Sequence, residues 1–272
     1  MTDAVVSPRT AAPARSSVET TMLLAPLSFA IFLALWEIAV RVLDVPAYLV
    51  PTPSAVAVKA WSDLTSGLIV RHFGVTLFEV LAGFAIAAVG GVLVGTAIGL
   101  MPLLNRTIYP LILAFQTIPK IALAPLFLIW FGFGPTSKIV TVATIVFFPV
   151  LVNVIAGLST VDARRLVLMR ALGAGPLKAY VKVRFPSMLP YLFAGLEVAI
   201  VFSVTGAIVA EFIGASQGLG SLIIQRQSNS DVAGVFSVLV YLTIMGLVLH
   251  AVLRAIGRHF TAWAQTERVL NS

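Results

Sequence analysis

The chain of 272 residues is 59% hydrophobic and 11% charged, with a mean hydropathy of +1.03. A soluble domain carries about 25% charged residues, so this much apolar surface points to lipid and excludes an ordinary water-soluble fold. The absence of cysteine excludes a disulfide framework and thiol chemistry, and the net charge of +7 (pI near 10.1) does not indicate nucleic acid, because the basic residues cluster between apolar runs as they do in cytoplasmic membrane loops.

Residues Met1–Thr21 are polar, contain Pro and Ala, and read as a disordered tail. About 20 apolar residues cross a bilayer core. Runs of that kind occur at Met22–Leu43, Val75–Leu100, Ile108–Phe131, Lys138–Leu158, Leu189–Ile213 and Ala233–Ile256. The first is too long for a signal-peptide core and lacks a small-residue cleavage site, so it is kept as a span. With the N-terminus inside, Arg9, Arg15, Arg106, Arg164, Arg165, Arg170, Lys178, Lys182, Arg184, Arg254, Arg258 and Arg268 fall on the cytoplasmic side, twelve in all. Arg41, Lys59, Arg71, Lys138 and Arg226, five in all, fall outside, and Lys120 lies within a span. This bias predicts both termini inside and an even number of spans, which six satisfies.

The second span carries Ala87, Gly91, Gly95 and Gly99 at intervals of four, a stripe on which another backbone can approach closely. The third contains Pro110, Pro119 and Pro125, each removing a backbone donor. A broken helix survives in lipid only where protein or a water-filled cavity receives the freed polar groups. Gln116 and Lys120 share a face beside Pro119, which marks a candidate translocation path for anionic or carbonyl-rich cargo, with Glu211 of the fifth span as a further candidate. Glu37, Glu79, Glu197 and Glu211 lie in or near spans; an outer interface suits Glu79, while pairing with Lys120 or burial in a dimer suits Glu211 equally well.

The segment from Ser159 to Pro190 is the most informative. Asp162 suits an N-cap, Leu166, Met169 and Leu172 recur at helical spacing, and Gly173 suits a left-handed helix end. Pro176 suits the first turn of a second helix, Leu177, Tyr180 and Val181 its apolar face, and Pro186 its stop. Two short amphipathic helices joined by a sharp turn suit docking in a partner's groove. Taken alone, the segment also reads as an unremarkable basic loop. A DNA-reading helix-turn-helix is disfavoured by the membrane spans at both ends.

Gly173, followed by Leu189-Pro190 and then Gly195, and preceded by Ala171-Leu172, resembles the EAA loop of binding-protein-dependent ABC importer permeases. Val167, Leu168 and Met169 stand in place of the Glu-Ala-Ala triplet. The stretch from Gln116 through Gly134 to Lys138, the run Ala210-Glu211-Phe-Ile-Gly214 with Gly218-Leu-Gly220, and Pro51-Thr-Pro-Ser54 before a short amphipathic helix resemble the nitrate, sulfonate and taurine group. That group also includes transporters resembling those for pyrimidine thiamine precursors and aromatic acids, and Pro119-Lys120 replaces its usual Pro-Pro.

The resemblance implies an all-α integral membrane protein with the type I ABC importer permease fold, in the bacterial cytoplasmic membrane. Residues 75–258 would form the permease core, 22–74 the first span and external loop, and 259–272 a cytoplasmic tail. It implies a permease homodimer, cytoplasmic ATPase subunits docked on Ala171, Leu172, Gly173, Ala174, Leu177, Tyr180, Leu189 and Pro190, and an external substrate-binding protein. ATP and Mg would be bound by the ATPase partner, since the chain has no G-x-x-x-x-G-K-[ST] loop and no cofactor of its own. Gly214-Ala-Ser-Gln-Gly218 matches a nucleophile-elbow pattern but follows a membrane span, and His72, His250 and His259 show no catalytic spacing, which disfavours an intramembrane protease. An ion-coupled secondary transporter is the main alternative, and the sequence offers one broken span without a matching second half.

Overall fold

The structure, a computed structural model, describes the backbone of residues 16–270 and the side chains of residues 24 and 26–263. The first fifteen residues of the expected tail, Arg9 and Arg15 among them, and the side chain of Arg268 lie outside the described residues. Eleven helices are described. They are α1 (Ser16–Val42), α2 (Pro53–Thr65), α3 (Leu68–Leu100), α4 (Pro102–Gln116), α5 (Ala124–Phe131) and α6 (Pro135–Ser159). Then follow α7 (Ala163–Ala171), α8 (Pro176–Ala179), α9 (Phe185–Gly214), α10 (Leu219–Ser228) and α11 (Val232–Leu270). Among the described residues α3, α6, the continuous run Pro176–Gly214 and α11 are each long and apolar enough to cross a membrane, and α4 with α5 makes a fifth such unit bent by 79°.

The core is a three-helix layer of α3, α6 and α9. Val80 and Ala87 of α3, Val146 and Val150 of α6, and Ala199 and Val204 of α9 are fully or almost fully buried in one cluster. The small-residue stripe is what brings α3 onto α6, and it begins a turn earlier than the sequence reading placed it. A Cβ on Gly83, Gly91, Gly95 or Gly99 would stand 2.6 to 2.9 Å from Val142, Val150, Val154 or Leu158 respectively. The constant offset between these pairs means that α3 and α6 run parallel. α9 runs antiparallel to α6, with Gly157 against Met188 and Gly195 against Asn153.

Several boundaries differ from the sequence reading. The span set to begin at Val75 begins at Leu68, and the one set to end at Ile256 continues as helix to Leu270. The third span is two helices, and of its three prolines only Pro119 marks the break. Pro110 lies inside α4, and Pro125 occupies the first turn of α5, where a missing N–H costs nothing. Pro186 does not stop the second loop helix. Residues Tyr180–Arg184 form a π turn in which the Phe185 N–H reaches back to the Tyr180 carbonyl, and the helix passes through Pro186 into α9. The wider turn re-phases the backbone bonds just where a proline removes one.

Candidate functional site

The segment between α6 and α9 is built as a hinge between two helices. Asp162 accepts the Arg164 N–H (2.8 Å) and caps α7. At the other end Gly173 adopts φ +72°, and the N–H of Ala174 bonds the Met169 carbonyl while that of Gly173 bonds the Arg170 carbonyl. A left-handed residue at this place lets the chain reverse while satisfying the last carbonyls of the helix. Pro176 opens α8, again in the first turn.

The hinge presents an apolar surface to solvent. Leu172 is 71% exposed and Leu177 76%, and Val167, Leu168 and Val181 are also exposed. Ala171 and Gly173 are exposed beside them, while Ala174 and Tyr180 are half-buried. Tyr180 stacks obliquely on Phe185 and packs on the core, so it serves the inner side, not the outward apolar face with Leu177 and Val181. Leu189 and Pro190 are half-buried in the first turns of α9. Between the hinge and the end of α3 lies a cavity of about 370 Å³, lined by Leu100, Leu166, Arg170, Tyr180 and Arg184 among others. The hinge therefore stands against the end of a core helix and continues without interruption into another.

At the break, the Lys120 ammonium donates to the Gln116 carbonyl (2.9 Å), one of the acceptors freed where α4 ends, and lies 4.7 Å from the centre of the Phe148 ring. Pro119 is the residue preceding the short 3₁₀ turn Lys120–Leu123. Among the described residues no ion pair or hydrogen bond joins Lys120 to a carboxylate. Glu211 is not brought to this place.

Glu211 belongs instead to a buried polar network at the other end of the core, which the sequence reading missed. It is 1% exposed, as is Glu79, so both carboxylates are enclosed by protein. Thr76 donates its hydroxyl to Glu211 Oε1 (2.6 Å) and accepts the Leu219 N–H (2.7 Å), while Gly220 N–H donates to Glu211 Oε2 (2.5 Å). His72 Nδ1 stands 2.8 Å from the Gly218 carbonyl oxygen and 3.2 Å from the Gly218 nitrogen, so its tautomer decides which bond it makes. Gly218 has φ +116°, a region reserved for glycine, and a Cβ on it would run into the Glu211 carboxylate. Lys138, counted from sequence as an external loop cation, is buried, 3.7 Å from Glu79, and reaches the carbonyls of Phe133 and Gly134. An open cavity of about 740 Å³ adjoins this network, lined by Arg71, Phe78, Glu79, Lys138 and Gln217 among others.

A second buried set ties α2, α10 and α11 together. Arg226 donates to Asp63 Oδ1 (2.6 Å), Ser237 Oγ (2.9 Å) and the Gly234 carbonyl (2.8 Å), and Ser237 donates to Asp63 Oδ2 (2.7 Å). Beside it Lys59 pairs with Asp231 at 3.0 Å. Burial pushes the Asp231 carboxyl up, but the Lys59 hydrogen bond, the Gly234 N–H and the charges of Lys59 and Arg226 outweigh this and hold it below the usual carboxylate range. The signal for these partners is absent from local sequence, since Asp63 and Arg226 are joined only by the fold.

A spanning core of parallel and antiparallel apolar helices, one broken span and a solvent-facing helical hinge define a membrane translocation subunit. Residues 87–262 match the family described as binding-protein-dependent transport system inner membrane component. The chain is 32% identical over 89% of its length to the formylaminopyrimidine transport permease protein ThiX of Halalkalibacterium halodurans, covering 96% of that protein. It is 31% identical over 88% of its length to the riboflavin transport system permease protein RibX of Chloroflexus aurantiacus, covering 89% of it. To the taurine transport system permease protein TauC of Escherichia coli it is 28% identical, over 84% of each chain. The fold is similar to that of a chain of the MetNI methionine ABC transporter in an inward-facing conformation, with a TM-score of 0.64, 22% identity, and coverage of 73% of this chain and 99% of that one. The chain belongs to the family of binding-protein-dependent inner membrane permease components.

Proposed function

We propose that the chain forms one half of the membrane pore of an ATP-driven importer, with six spans, both termini in the cytoplasm and a second copy of itself as partner. The even span count rests on the apolar run within α1 and on the excess of Lys and Arg in the cytoplasmic loops. Two cytoplasmic ATPase subunits, which bind the ATP and Mg, dock on the hinge, and an external binding protein delivers a small solute. The cargo is a small solute of the kind the relatives are named for, a sulfonate, taurine, a formylaminopyrimidine or riboflavin, and the sequence resemblance adds a nitrate-like anion or an aromatic acid. Gln116, Pro119 and Lys120 line the path at the broken span, whereas Glu211 holds the opposite end of the core together.

The observation that carries this reading is the apolar surface of the hinge. Leu172 and Leu177 are more than two-thirds exposed on a segment flanked by Arg164, Arg165, Arg170, Lys178 and Lys182. A basic surface keeps that segment out of the hydrocarbon, so its apolar side chains await a protein groove. The test is Gly173→Val. A β-branched residue is strained at φ +72° and changes the angle between α7 and α8, while nothing in the turn is needed for insertion. The variant is expected to reach the membrane at normal levels, with loss of ATPase co-purification or of coupling between hydrolysis and uptake in reconstituted vesicles. Normal docking together with normal coupled uptake returns the hinge to a plain basic loop.

A further inference from the structure

The depth of α2 can be read from what it touches. Near its start, Ser54 donates its N–H to Glu37 Oε2 (3.0 Å) and its hydroxyl to Glu37 Oε1 (2.8 Å). Glu37 lies more than a turn before the end of α1 at Val42, roughly 7 Å below it at about 1.5 Å per residue. Further along, the Tyr241 hydroxyl donates to the Ala60 carbonyl (2.8 Å), and Tyr241 lies more than two turns inside α11, which begins at Val232. At the same level Lys59 reaches Asp231 just before α11 begins, and near the end of α2 Asp63 meets Arg226 and Ser237. The helix therefore packs along the sides of α1 and α11 near their ends.

Its two faces differ in kind. Both charges of α2 are paired with the bundle, Lys59 with Asp231 at a half-solvated site and Asp63 with Arg226 in a buried one, and Val56 is buried one turn before Lys59. The outward face carries Ala57, Val58, Trp61 and Leu64 together with the hydroxyls of Ser62 and Thr65, with Val58 72% and Trp61 68% exposed, and no charge. The preceding Tyr48 and Leu49 are exposed too, and so are Phe32, Leu35 and Ile38 on α1. Phe32, Leu35 and Trp36 of α1 and Phe236 of α11 line a shallow apolar groove on the same flank. The uncharged face of α2 is thus joined by exposed apolar side chains on α1 and by the groove between α1 and α11, the two helices it packs against, and it carries Trp61, an aromatic type that favours the headgroup boundary.

We propose that α2 is a half-depth helix embedded in the outer leaflet, with Val58 and Trp61 against lipid and the inward ion pairs fastening it to the bundle. The word outer rests on the orientation proposed above, whereas the depth does not. Two measurements test it. The chain has no cysteine, so Val58→Cys and Ser66→Cys can be made singly and exposed to a membrane-impermeant maleimide. In intact cells Ser66→Cys, at the exposed end of α2, is expected to react and Val58→Cys to react only after detergent. Reaction at both sites before detergent overturns the depth. Reaction of Ser66→Cys only in inside-out vesicles overturns the orientation and leaves the depth to be judged by the protection of Val58→Cys.

The second measurement identifies what covers the face. With Trp36→Phe, Trp130→Phe and Trp263→Phe, Trp61 is the remaining tryptophan. In bilayers of lipids brominated high on the acyl chain its emission is expected to be blue-shifted and mostly lost. Emission that survives brominated lipid, or appearance of a disulfide between two copies of Trp61→Cys, assigns the face to a protein partner and overturns the proposal.

Discussion

Arg226 shows how a buried charge is tolerated here. Its guanidinium meets a carboxylate, a hydroxyl and a carbonyl, and the Asp63 carboxylate accepts from both Arg226 and Ser237, so neither ion is left bare. Removing one partner strands the other at high desolvation cost, whereas removing both leaves an apolar contact. Arg226→Met is expected to destabilise the protein by about 3–5 kcal/mol, and Asp63→Leu with Arg226→Met to recover most of that loss. Thermal unfolding in detergent reads the difference; a double variant no better than the single one refutes it. The neighbouring Lys59–Asp231 pair is half-solvated and behaves differently. Because the Asp231 carboxyl is held below its unfolded range, the stabilisation is present at neutral pH and lost as pH falls through the depressed value. The advantage of the native protein over Lys59→Met is therefore expected to be constant near neutrality and to vanish in acid, below about pH 4. An advantage that grows on acidification contradicts the pairing. Neither set was legible in sequence, since Lys59, Asp63, Arg226 and Asp231 stand in separate segments and charge counting placed the cations in open external loops.

At the scale of elements, the sequence speaks clearly where a rule is local. The four-residue spacing of Ala87, Gly91, Gly95 and Gly99 declared a packed helix, and the structure names α6 as the partner. Asp162, Gly173 and Pro176 declared two helix starts and an end. Pro186 misled because a proline ends a helix only when its missing bond has no substitute, and the π turn before it supplies one. Prolines at 110 and 125 misled for other reasons, the first being carried inside α4 and the second standing in the first turn of α5, where no bond is lost. The α3–α6 contact gives a direct test of close approach. A Cβ on Gly91 would stand 2.9 Å from the Val150 side chain and 3.2 Å from the Leu151 nitrogen. Gly91→Ile is expected to cost about 1–3 kcal/mol through overpacking or to force the helices apart. Gly91→Ala should cost less in a Val150→Gly background than in the native one, because that change removes both the Cβ and the Cγ1 that the new methyl strikes. An equal cost in the two backgrounds would mean that the backbone nitrogen, not the side chain, sets the limit.

For the molecule as a whole, the open question is whether the bent pair α4–α5 crosses the bilayer. Its 79° angle is compatible by itself with a broken span or with a re-entrant hairpin that returns to the side it left. The packing of its neighbours decides between them. α3 and α6 run parallel, with Gly83 on Val142 at one end and Gly99 on Leu158 at the other. α4 follows directly from the end of α3 at Leu100, and α5 delivers the chain to the start of α6 at Pro135, beside Glu79 in the first half of α3. A chain that leaves one end of α3 and enters a parallel helix at the other must travel the length between them. The bend is then a break within a crossing, and the freed carbonyl of Gln116 is answered by Lys120 instead of by a neighbouring turn. The consequence is a topology that cysteine labelling can read. Three crossings separate Ser66 from Ser159, so an impermeant thiol reagent is expected to label Ser66→Cys in intact cells and Ser159→Cys only after permeabilisation. Labelling of both from one side would make α4–α5 re-entrant, and labelling of Ser159→Cys alone would invert the orientation predicted from the Lys and Arg count of the sequence.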